Sequence, residues 1–271
     1  MRRHMDARGL RRLTTLACLA ALTAFGQDAL GAPPWVDRTL TLPSGDWAFD
    51  FGLGLGPVPP PGDSAGVGIN AEMAVGLTDR VELGLRTGLR FGDAFARAIN
   101  GDSYGRLYDR QTFDQGPDVL ANPEVRVRGA LVRGTVVELA LEGRLVVPIA
   151  DGTDAGLLAG VPLAFHLGNR VRLDTGAYLP ILFFPHRPVP SLNIPIDVWI
   201  QASRRLWLGP VAGVAFQQLG QPDATTSVSL GFALGDALTR FIDFKAMFLF
   251  PHIDDGSRDF GVGAGLEVRI E

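Results

Sequence analysis

The sequence predicts an all-β chain that closes into an antiparallel transmembrane β-barrel of about twelve strands. Three observations predict it. Apolar residues alternate with polar residues or glycine along most of the chain. The connections between these runs are short and long by turns, and the polar positions carry arginine and carboxylates, with lysine present once, at Lys245. Hydrophobic residues are 46% of the 271, too many for a disordered chain, and no interior run of about 18 apolar residues predicts a membrane-spanning helix.

The first element is an export signal over residues 1–31. MRRHMDARGLRR is a basic leader, LTTLACLAALTAF is an apolar core, and QDALGAPPW offers small residues for cleavage near Gly31 or Ala32. The only cysteine, Cys18, lies within that core without a leucine three places before it, so lipid attachment is not expected. No disulfide framework or cysteine metal site follows from one cysteine. Loss of residues 1–31 leaves 20 basic and 27 acidic residues, a net charge of −7, which disfavours nucleic acid as a partner. Residues 32–44 are expected to form a short periplasmic segment, and 45–271 the barrel.

Period-two alternation then marks strands near 45–56, 66–77, 81–92, 123–132, 135–148, 160–168, 171–181, 192–202, 206–217, 226–235, 241–250 and 260–270. WAFDFGLGL puts Trp47, Phe49, Phe51, Leu53 and Leu55 on one face. In VGLTDRVELGL the parity carries across the turn: Met73, Val75 and Leu77 share a face with Val81, Leu83 and Leu85, opposite Glu72, Gly76, Glu82, Gly84 and Arg86. HLGNRVRLDTG repeats that grammar. The last strand places Phe260, Val262, Ala264, Leu266, Val268 and Ile270 together.

Connection lengths favour a barrel over a sandwich. TDR, RG, GNR, SRR and the GDALTR neighbourhood are short. PVPPPGDS, the stretch from Asp93 to Asn122, ADGTDAGLL, FFPHRPVPSL, LGQPDATT and PHIDDGSRD are longer, and the two kinds alternate. Short turns on one rim, long loops on the other and both chain ends on the short-turn rim are barrel features. Closure is also required in lipid, where an open sheet edge leaves unpaired backbone groups. Arginines among carboxylates opposite the apolar face suit a lumen in which charges pair across strands. The alternative is a secreted soluble β protein with a solvated charged face.

The signal, the strand pattern and the hairpins GLTDRVELGL and LGNRVRLDTG resemble bacterial outer-membrane β-barrel proteins of the porin-like kind, over Asp46 to Glu271. The resemblance implies outer-membrane lipid and the insertion machinery as partners. Such barrels commonly end in an aromatic residue, whereas this chain ends VRIE. Asp79 and Asn169 suit tight turns through local side-chain bonding.

Catalytic and metal chemistry is weakly signalled. The histidines beyond the signal are His166, His186 and His252, and neither Ser227 nor Ser229 has a histidine and an acid nearby in sequence. DGTDAG and HIDDGSRD cluster oxygens without the twelve-residue calcium-loop pattern, so no catalytic residue, metal site or cofactor is assigned. The proline runs are expected to stiffen exposed loops and withhold N–H donors. The 93–122 loop, with Tyr104, Tyr108, Arg97 and Arg106, suits a mobile external loop, a pore constriction or a partner surface.

The leading expectation is passive passage of a small solute, with Glu82, Arg86, Arg90, Arg126, Arg128, Glu142 and Arg144 lining the lumen. A structural or surface-contact barrel with an occluded lumen is the alternative, and a hydrolase or acyltransferase barrel a distant third. Salt bridges continuous across the lumen would favour the structural reading.

Overall fold

The structure, a computed structural model, describes residues 33–57, 65–91, 122–149, 155–184, 187–222, 224–250, 253 and 261–271. The signal segment, the 93–121 loop and the acidic stretches around 151–154 and 254–259 lie outside the described residues. A 3-10 turn, Trp35–Asp37, precedes the strands β1 (Trp47–Pro57), β2 (Ala65–Thr78), β3 (Val81–Phe91), β4 (Glu124–Arg133), β5 (Val137–Val146), β6 (Gly156–Leu167) and β7 (Val171–Phe184). They are followed by β8 (Arg187–Pro190), β9 (Leu192–Gln201), β10 (Leu206–Gln217), β11 (Thr225–Ala237), β12 (Ile242–Phe250) and β13 (Gly261–Ile270).

All pairings are antiparallel, and all but β7 with β9 and β1 with β13 join neighbours in the chain. β1 pairs with β13, Trp47 opposite Ile270, and β6 pairs with β7. The sheet is therefore a closed barrel with no free edge. β8 and β9 run in succession along β7, so they fill one of twelve positions around the wall.

β8 corrects the expectation for FFPHRPVPSL. Arg187–Pro190 pairs with Ile181–Phe184 instead of forming a loop that refuses pairing. The reason is parity. Ser191 N–H points at β7 and donates to Pro180 O at 2.9 Å, while the Pro190 carbonyl points the other way and accepts from Leu219 N at 2.8 Å. Pro188 and Pro190 thus occupy positions whose missing N–H would face away from β7, where proline costs the ladder nothing.

Alternation sets the two faces of the wall. Leu83, Leu85, Leu141, Phe232 and Val262 point outward and are exposed, while Glu82, Glu138, Glu142, Arg144 and Asp197 point inward and are buried. In the short turns the capping group is a hydroxyl. Thr78 Oγ1 accepts from Arg80 N and Val81 N at 3.1 and 3.0 Å, and Thr239 and Ser203 repeat the arrangement. Asp79, assigned that local task from sequence, accepts from Ser44 N at 3.1 Å instead. Threonine stands one residue earlier, within reach of the two amides the turn leaves open.

Candidate lumen site

The chain ahead of β1 does not hang free of the barrel. Residues 34–43 lie across the short-turn end of the lumen, where Trp35, Val36, Leu40 and Thr41 are each 1% exposed or less. Trp35 stacks on Trp207 with centroids 4.9 Å apart and meets Trp199 edge-on at 6.0 Å. The Arg38 guanidinium lies over Trp35 at 4.8 Å and its Nη1 reaches Asp243 Oδ2 at 2.5 Å. Leu40 packs with Ala140 and Ala164, and Leu42 with Ala48 and Ala74. Small wall residues make the room: a Cβ at Gly235 would lie 2.1 Å from the Trp207 ring, and one at Gly76 1.9 Å from Pro43 O.

The main chain of this strap is held as well. Val36 N donates to Gln201 Oε1 at 3.3 Å, Leu40 N to Glu138 Oε2 at 2.8 Å and Leu42 N to Glu82 Oε2 at 2.9 Å. Its carbonyls meet donors: Val36 O pairs with His166 Nδ1 at 2.7 Å, Arg38 O accepts from Arg172 Nη1, and Leu40 O accepts from Arg128 Nη1 at 3.0 Å. Beyond Pro43 the chain turns at Gly45, whose φ of 88° is left-handed, and joins β2 through Gly45 N to Gly76 O at 2.8 Å.

Next to the strap stands an ion network on β2 to β5. Arg126 Nη2 holds Glu72 at 2.7 Å and Glu82 at 2.9 Å; Arg128 Nη2 holds Glu142 at 2.5 Å; Arg144 bridges Glu124 at 2.7 Å and Glu142 at 3.0 Å. A smaller set adjoins it on β1, β12 and β13, where Lys245 Nζ joins Asp50 at 2.7 Å and Glu267 at 2.6 Å. Charges this buried persist because each meets an opposite charge. Just outside β1, partial burial, with Glu271 nearby, pushes the Asp46 carboxyl above its ordinary range.

Five of the seven residues proposed from sequence to line the lumen, Glu82, Arg126, Arg128, Glu142 and Arg144, are therefore joined in one buried network. Arg86 is half-buried and sits in register between Glu72 and Glu124. Arg90 is on β3 opposite Gly68, and its side chain lies outside the described residues. On β10 and β11, Gly213, Ala215, Ser227, Ser229 and Gly231 face inward and are partly exposed, whereas Ala233 and Ala237 nearer the strap are buried. The inner wall is thus uneven: hydroxyls and glycine partly exposed on β10 and β11, and buried charge on β2 to β5 that reaches from Glu82 and Glu138 beside the strap to Glu124 and Arg144 at the other end of β4 and β5.

Neither protein-family models nor curated proteins match the chain. Solved structures do. The NanC porin superposes with a TM-score of 0.58 at 7% identity, over 81% of this chain and 98% of that one. An outer-membrane channel from Pseudomonas putida F1 gives 0.58 at 10% identity over 85% and 97%, and the KdgM porin 0.55 at 8% identity over 83% and 99%. The fold is that of a porin-like outer-membrane barrel. At these identities the likeness is one of fold.

Within this porin-like barrel the hydrogen bonds of Ser227 and Ser229 go to neither a histidine nor an acid among the described residues. Ser229 Oγ donates to Gly213 O at 3.4 Å, Ser227 Oγ accepts from Gln217 Nε2 at 3.5 Å, and His166 is engaged with Glu138 and Val36. Among the described residues no cluster of three metal-ligating side chains occurs. The strap was missed from sequence. Its one signal was the alternation of Thr39, Leu40, Thr41 and Leu42 ahead of the first strand.

Proposed function

We propose that the chain is exported, inserts in the outer membrane with its short turns in the periplasm, and conducts small polar solutes through a lumen gated at its periplasmic end by residues 34–43. The observation that carries this is the asymmetry of the inner wall: partly exposed hydroxyls and glycine on β10 and β11, above a strap that side chains, not sheet pairing, hold in place. A purely structural barrel needs no such partly exposed inner wall. Strap bonds made by single side chains break one at a time, whereas a wall strand is bound along both edges.

The buried ion network favours the second reading, an occluded structural barrel. Liposome swelling separates the two. Vesicles holding the full mature chain should swell in small neutral and zwitterionic solutes, faster for Arg38→Ala, which removes the strap's ion pair with Asp243. Impermeability of both proteins, folded and inserted, supports the structural barrel.

A further inference from the structure

The strap is read through its backbone. Its even-numbered residues present N–H at Val36, C=O at Val36, C=O at Arg38, N–H at Leu40, C=O at Leu40 and N–H at Leu42. The wall answers with Gln201 on β9, His166 on β6, Arg172 on β7, Glu138 on β5, Arg128 on β4 and Glu82 on β3, an arc of adjacent positions. Acceptors meet N–H groups and donors meet carbonyls. Four of these side chains are carboxylates or guanidiniums, so those bonds are charge-assisted. A wall built only to wet a pore has no reason to match the backbone of one segment group by group. The side chains add a pattern: Asp243 and Glu267 take the Arg38 guanidinium at 2.5 and 3.7 Å, and alanine-lined hollows take Leu40 and Leu42.

We infer that the short-turn end of the lumen is a binding site for a peptide main chain that turns once at its start, as Trp35–Asp37 does, which residues 34–43 occupy in cis as a stand-in for the solute. The ligand class is a short peptide with a basic residue followed by apolar residues two and four places on. This deepens the channel reading by naming its solute, and it rests on that reading only for the claim that the bound peptide goes on to cross. Binding requires the strap to leave. While attached, the strap competes at high effective concentration, so a free peptide should bind poorly to the intact chain.

The test uses the full mature chain and its Trp35→Ala, Arg38→Ala form, in which the strap loses its side-chain anchors while the wall is untouched. Heat-modifiable gel mobility first confirms that each barrel is closed. Calorimetry then follows two synthetic peptides of the sequence WVDRTLTL, one unmodified and one N-methylated at the two leucines, with maltotriose as a non-peptide probe. The loosened chain should bind the unmodified peptide, with the intact chain weaker. N-methylation, which removes two charge-assisted bonds and keeps every side chain, should weaken binding by about a hundredfold. Equal affinity for both peptides, tighter binding of maltotriose, or no peptide binding by either chain overturns the inference. Peptide binding by a chain that passes no solute supports the site and defeats the channel reading; solute passage without peptide binding does the reverse.

Discussion

Trp35 lies flat against Trp207, with ring centroids 4.9 Å apart and planes 3° from parallel. One ring belongs to the strap and the other to β10, and the contact fixes the strap's first turn to the wall. Truncating a buried tryptophan costs about 3 to 5 kcal/mol. Trp207→Ala should therefore raise the open population of the strap by roughly a hundredfold. Trypsin cleavage after Arg38 in the folded barrel reads this: fast in Trp207→Ala, slow in the parent.

Arg128 touches Glu142 at 2.5 Å and the Leu40 carbonyl at 3.0 Å, so it serves wall and strap together. Arg128→Met should cost about 3 kcal/mol, because the buried Glu142 carboxylate is left with Arg144 and the Leu40 carbonyl loses its donor. Urea unfolding in detergent or vesicles measures it. Arg86→Met, at a half-buried position, should cost distinctly less.

The two faces of β11 should respond in opposite ways. Leu230 points outward at 44% exposure and Ser229 points inward and is partly exposed. Leu230→Arg should destabilise the inserted barrel by about 2 to 4 kcal/mol if it lies near the bilayer midplane. Ser229→Arg should leave stability nearly unchanged and alter solute passage. Matching losses of stability would remove the assignment of faces.

Orientation is checked by surface labelling. Single cysteines at Asp154 and Asp255 should react with an impermeant maleimide on intact cells, and one at Asp79, in the β2–β3 turn, should not.

The sequence made the wall legible because a strand with lipid on one side and lumen on the other must alternate, as WAFDFGLGL does. Alternation gives the side and not the depth of water behind it. Arg126 and Arg128 were therefore placed inward without any sign that they are buried. Their partners were also hidden, because pairing Arg128 with Glu142 depends on register and β4 carries an irregularity between Ala130 and Val132. The strap was illegible for a different reason. Its alternating threonines and leucines read as part of a short periplasmic segment, and what holds them are side chains contributed by strands from β3 to β13, distant in sequence.

The central claim, a conducting lumen gated by residues 34–43, is tested most directly by planar-bilayer recording of the full mature chain beside Trp35→Ala, Arg38→Ala. The parent should show brief, infrequent single-channel steps. The variant should show the same unit conductance with a much higher open probability. Silence from both proteins when correctly folded, or identical open probability in the two, would contradict the account.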